Sequence, residues 1–267
     1  MMCLALHCWL AAMSAQAEPL KFVVRLDPQA ASQPVSGRLL VFTSQRPGKE
    51  PRLGPDWFSP EPFFAVDVSE FGPGQSRTID DEADSFPARL TRLPPGKYRV
   101  QAVFDHSFDH QHHGKAPGNF FSEVVELDLG PDAGPQQLTL DRTIPAQPFE
   151  ETRWVKEVSL RSESLSRFHH RDVVMQCGVV LPASYYDQPE RRYPVVYIIP
   201  GFSGTHREAL RYGEGPPPIG EEEVEFLRVV LNPNCKWGHH VFADSATNGP
   251  RGEALIKELI RMALEVF

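Results

Sequence analysis

Apolar and polar residues alternate in short runs along the first half of the chain, and turn residues separate those runs. Residues 20–26, 37–44 and 63–68 read as strands with Pro and Gly between them. Leu93-Pro94-Pro95-Gly96 forms a tight turn, and the strand after it places Tyr98, Val100, Ala102 and Phe104 on one face. Residues 122–129 and 136–140 add two more strands. A helix of normal length finds no place before Ile144. Many short strands with regular punctuation predict an Ig-like β-sandwich over residues 18–145.

Past Ile144-Pro145-Ala146-Gln147-Pro148, a stiff joint, the pattern changes. Residues 154–160 and 171–181 predict strands, the second with Val173, Met175, Cys177 and Val179 on one side. Val195 to Ile199 form an unbroken apolar run between two prolines, the signature of a parallel strand buried on both faces. Residues 225–231 predict another strand, and residues 240–243 a short extended piece. From Gly252 to Phe267 the apolar residues recur at helical spacing, with one broad face.

Composition narrows the class. The chain has 267 residues, 41% hydrophobic and 23% charged, with a net charge of −8. No basic block offers a nucleic-acid or anionic-membrane surface. The 26 prolines fit the many turns. Met1 to Ala17 is apolar and ends in Ala15-Gln16-Ala17, followed by Glu18-Pro19. It reads as a signal peptide without a basic start and predicts a periplasmic or secreted protein. No other stretch is long and apolar enough to span a bilayer. Of four cysteines, Cys3 and Cys8 fall in the leader. Cys177 and Cys235 remain, and sequence leaves open whether they pair or stay as separate buried thiols.

Two segments carry candidate chemistry. In Gly201-Phe202-Ser203-Gly204 the glycines make a strand-to-loop turn whose Phe202 and Ser203 amides could face an oxyanion. Ser203 as a nucleophile lacks the fifth-position glycine of G-x-S-x-G and a helix starting at Gly204. Asp105, His106, Asp109, His110, His112 and His113 crowd a polar loop, where such side chains can bind zinc. They lack the spacing of a known metal motif, so a solvated loop is the simpler reading and no cofactor is assigned. Asp244 reads as a cap for the turn or helix that follows it. Trp57, Trp154, Trp237 and the Glu221-Glu222-Glu223 run carry no functional assignment.

The run RRYPVVYIIPGFSGTHREAL, with VVLNPNCKWGHHVFADSATNGPRGEALIKELI, resembles bacterial enterochelin-esterase-like and esterase-D-like α/β-hydrolases. The likeness covers roughly Trp154 to Phe267. It implies a multidomain β plus α/β protein: signal peptide 1–17, β-sandwich 18–145 and the N-terminal half of an α/β-hydrolase sheet over 146–267. It also implies acyl transfer to water through a serine ester without a metal, on a small-molecule or polymer ester. Phe202 and Ser203 would supply oxyanion-hole amides, and Gly201, Asp244 and Asn248 would shape the active-site rim. The family's nucleophile elbow, acid and histidine follow the helix matched by Gly252–Phe267, and none of them is present here. The expectation is therefore a chain inactive and unstable alone, completed by a separately encoded C-terminal half. The alternative is a β-sandwich binding module or scaffold with a vestigial hydrolase half.

Overall fold

The computed structural model describes residues 18–56, 58–213, 215 and 224–266. The signal-peptide reading, Trp57 and the Glu221–Glu223 run lie outside the described residues. The described residues are mostly β-sheet with few helices. They form two compact units, 18–106 with 120–143 and 107–119 with 144–266. None of their helices is long and apolar enough to cross a membrane.

The first unit holds β1 (Lys21–Leu26), β2 (Val35–Ser44), β3 (Phe63–Phe71), β4 (Ser76–Ile79), β5 (Asp84–Phe86), β6 (Gly96–Asp105), β7 (Phe120–Phe121), β8 (Val125–Leu129), β9 (Pro135–Leu140) and β10 (Arg142–Thr143). Its only helical pieces among the described residues are two single 3-10 turns, Pro51–Leu53 and Leu90–Arg92. One sheet runs β4-β1-β9; the other runs β10-β7-β6-β2-β3-β5, with β8 also on β6. Phe22 and Val24 from β1, Leu39 and Val41 from β2, and Phe64 from β3 join one apolar cluster. Tyr98, Val100, Ala102 and Phe104 of β6 join it from a single face, as their alternation requires. Leu40, Phe42 and Val103 point the opposite way into a second cluster. Central strands buried on both faces thus read as continuous apolar runs. The strand predicted at 122–129 begins only at Val125; before it, Ser122 Oγ accepts from the Ala102 amide at 2.9 Å.

The second unit begins with β11 (Val155–Arg161), α1 (Glu163–His169) and β12 (Val174–Val180). There follow β13 (Val195–Ile198), a 3-10 helix (His206–Tyr212), β14 (Leu227–Leu231), β15 (Asn234–Cys235) and β16 (Gly238–His239). α2 (Arg251–Ala254) continues through a π turn (Leu255–Leu259) into α3 (Ile260–Val266). The sheet order is β11-β12-β14-β13. β12 is antiparallel to both β11 and β14, whereas β13 is parallel to β14, with Ile198 opposite Val230.

Alternation assigns the two faces of this sheet. Met175, Cys177, Val179, Val229 and Leu231 pack with Leu165 of α1, Ala254 of α2 and Leu259. Val155, Val180 and Val230 pack with Ala209 on the 3-10 helix. That helix lies so close to β12 that a Cβ on Gly178 would come within 2.5 Å of Ala209 Cβ and 2.6 Å of His206 O. Only glycine fits there. Cys177 and Cys235 are free and buried, and burial pushes the Cys177 thiol up to about 12.

Three sequence expectations need correction here. β13 is not buried on both faces: Val196 is 42% exposed, because among the described residues β13 pairs with β14 alone. Residues 240–243 are not extended, since Val241 (φ 46°) and Phe242 (φ 54°) both adopt the left-handed region. α1 and the 3-10 helix were not foreseen, although both carry local signals. Ser162 Oγ accepts from the Leu165 amide at 3.2 Å, and Thr205-His206-Arg207-Glu208 has the S/T-x-x-E spacing of a capping box.

Candidate functional site

Parallel pairing places the carboxyl ends of β13 and β14 at one edge of the sheet. Loops leaving that edge are where open α/β sheets present their ligand groups. From β13 comes Pro200 to Gly204, and from β14 comes the hairpin of β15 and β16. His239 Nε2 joins them by donating to the Pro200 carbonyl at 2.7 Å.

The turn at Gly201–Gly204 closes with the Gly204 amide donating to the Gly201 carbonyl at 2.9 Å. Ser203 sits at the third position with φ 68°. A positive φ there, preceded by an ordinary residue, is the mark of a type II turn. Glycine is required at 204, where a Cβ would meet Glu208 Oε1 at 2.3 Å and Pro200 Cβ at 2.5 Å. The Phe202 and Ser203 amides donate to no acceptor among the described residues, and both residues are exposed. The Ser203 hydroxyl accepts from Gln111 Nε2 at 2.8 Å, and the buried Gln111 Oε1 has no partner. Sequence reasoning missed Gln111, because its place at this turn is set by tertiary structure 92 residues away.

Each histidine of the unit with known ring partners is occupied elsewhere. His239 accepts the Val241 amide at Nδ1, which leaves the proton on the Nε2 that serves Pro200. His240 Nδ1 accepts from the Phe242 amide at 3.0 Å; burial, with Arg251 and His239 adding to it, pushes its pKa down to about 3. His206 Nε2 meets Glu157 Oε1 at 2.9 Å, and its ring stacks on Phe149 at 5.5 Å. Its Nδ1 is buried without a partner, and burial lowers its pKa. The Ser203 hydroxyl is bonded to the Gln111 amide, and His206, His239 and His240 are each engaged elsewhere.

Asp244 and Asn248 form a second group. Asp244 Oδ1 accepts from the Gly252 amide at 2.7 Å and the Glu253 amide at 3.2 Å, which makes it the cap that Pro250 cannot be. Ser245 and Gly249 exchange backbone hydrogen bonds, and Ser245 Oγ accepts from the Asn248 amide. The Asn248 carbonyl in turn accepts from His169 Nε2 at 3.2 Å and Arg251 Nε at 3.1 Å. The partners of this group are α1 and α2; those of the Gly201–Ser203 turn are Gln111 and His239. The sequence treated the two groups as one rim, and the structure gives them separate neighbours.

The histidine-rich loop is divided. Both oxygens of Asp109 receive Arg171, at 2.7 and 2.9 Å, a bidentate ion pair. His106 stacks on Phe120 at 4.9 Å within the first unit. Among the described residues no three His, Cys, Asp or Glu side chains converge as a metal site. Asp109 and His110 instead line a small cavity with Gln176, Asn232, His240 and Arg251.

Comparison with known proteins finds no family model and no curated protein that matches the chain.

Proposed function

We propose that the second unit supplies the oxyanion side of an exported serine-type carboxylic-ester hydrolase. One observation carries the reading: a turn at the carboxyl end of a parallel strand leaves the amides of two successive residues, Phe202 and Ser203, without acceptors among the described residues. A developing oxyanion is stabilised by such fixed donors more than a ground-state carbonyl is. The motif resemblance over Trp154–Phe267, the antiparallel β12 in a sheet that also holds a parallel pair, and the Asp-capped helix after β16 support it further. The two sheets of the first unit, which share one apolar cluster, support an Ig-like sandwich there.

In the mechanism this implies, the substrate carbonyl rests against the two amides and the turn holds them fixed by the Gly201–Gly204 hydrogen bond. The serine and imidazole are expected from polypeptide outside the described residues, since Ser203 accepts from Gln111 and His206, His239 and His240 are each engaged. The substrate is an ester of a small molecule or polymer, and no metal takes part.

The test is hydrolysis of p-nitrophenyl acetate by the chain alone and by the chain expressed with the polypeptide encoded directly after it. The chain alone is expected to show no turnover sensitive to a serine-reactive phosphonate. The pair is expected to turn over. Phe202→Pro then removes one amide at a turn position that accepts proline, and kcat should fall by about 10²–10³. Ser203→Gly keeps its amide and should leave kcat unchanged. Phosphonate-sensitive turnover by the chain alone, an inactive pair, or full activity in Phe202→Pro would each overturn the reading.

A further inference from the structure

Arg251 is 6% exposed and lines the cavity bounded by Asp109, His110, Gln176, Asn232 and His240. Its Nε donates to the Asn248 carbonyl. Among the described residues its two terminal nitrogens donate to no protein acceptor. A guanidinium this enclosed by protein normally finds a full set of acceptors, since an unmatched buried charge is costly.

The surrounding charges do not supply that match. Arg171 and Arg251 bring two positive charges into this region, and Asp109 brings one negative charge, with both oxygens on Arg171. The other carboxylates nearby are committed: Asp172 to Arg161, Asp244 to the α2 amides, Glu258 to the first amides of α1, and Glu157 to Gln176 and His206. His240, beside Arg251, is held neutral by burial and by that cation. Among the described residues the cavity therefore holds Arg251 donors without protein acceptors. Its volume of about 40 Å³ has room for roughly three waters, the size of one carboxylate group.

We propose that this cavity is a carboxylate-binding site, with the planar fork of Arg251 Nη1 and Nη2 gripping both oxygens of the ligand. A flat carboxylate matches the fork, each oxygen taking one of two parallel hydrogen bonds. Asn232 and Gln176 line the same cavity and are bonded to each other, with Gln176 Nε2 also donating to Glu157. The site stands independently of ester hydrolysis. If the ester reading holds, the site selects esters that carry a free carboxylate, and that extension rests on that reading.

Calorimetric titration of the whole chain with succinate, acetate, succinamide, chloride and inorganic phosphate at constant ionic strength tests it. Succinate and acetate should bind, while succinamide should bind at least about tenfold more weakly, because it cannot accept charge-assisted hydrogen bonds. Arg251→Lys keeps the charge but loses the fork, and should weaken succinate by about tenfold or more. Arg251→Gln should abolish binding. If neither variant folds, the contrast between succinate and succinamide on the unmodified protein decides. Equal binding of the amide, tighter binding of phosphate or chloride, no carboxylate binding, or unchanged affinity in a folded variant would each overturn the site. Succinate binding to a protein without esterase activity would uphold the site and remove only the extension.

Discussion

Asp244 gives the sharpest test of how the second unit is held together. Pro250 stands at the N-cap of α2 and has no side-chain acceptor to offer. Asp244 reaches over six residues and accepts from the second and third amides of the helix, at 2.7 and 3.2 Å. Asp244→Ala removes both hydrogen bonds together with a negative charge at the positive end of the helix dipole. Loss of a cap costs about 1 kcal/mol, and the charge adds about 0.3–1 kcal/mol at an exposed site. The expected total is about 1.5 kcal/mol. Asp244→Asn keeps an acceptor oxygen and loses only the charge, so it should cost about 0.5 kcal/mol. Urea unfolding at pH 7, followed by tryptophan emission, gives both values if the slope of the transition is unchanged. Salt should narrow the difference between Asn and wild type and leave the Ala penalty largely in place. An Ala variant within experimental error of wild type would refute the capping role. So would an Asn variant as unstable as the Ala variant.

Two further outcomes follow from packing and burial. His240 has a folded pKa near 3, well below its unfolded value near 6.5, so the unfolded chain takes up the proton first. Stability is complete above about pH 6.5 and falls as pH drops towards 3, by about 2 kcal/mol between pH 7 and pH 5. His206, also lowered by burial, adds in the same direction. His240→Asn should flatten that slope, and an unchanged slope measured by urea titration would count against the buried neutral histidine. Gly178→Ala places a methyl group 2.5 Å from Ala209 Cβ. It should destabilise the second unit by about 2 kcal/mol through overpacking, and a variant of wild-type stability in thermal unfolding would disprove that close approach.

Much of the local structure was legible because it depends on short-range periodicity. The alternation of Tyr98, Val100, Ala102 and Phe104 fixed the face of β6, and Val173, Met175, Cys177 and Val179 fixed that of β12. The helical spacing after Gly252 marked the last helix, and Asp244 was readable as its cap from residue type alone. Errors arose where the chain departs from regular periods. Val241 and Phe242 are apolar and suggest a strand, yet the His240 ring holds the Phe242 amide and the backbone turns left-handed.

The sequence by itself determined which residues are apolar on which face, where turns interrupt them, and which side chain caps the start of the final helix. Those properties belong to neighbours within a few positions. Only the tertiary structure decided what surrounds the candidate chemistry. It brought Gln111 to Ser203, paired Asp109 with Arg171, and left Arg251 half-satisfied in a cavity. The first two contacts join segments 92 and 62 residues apart, and their meeting depends on strand order and register, which no local pattern encodes.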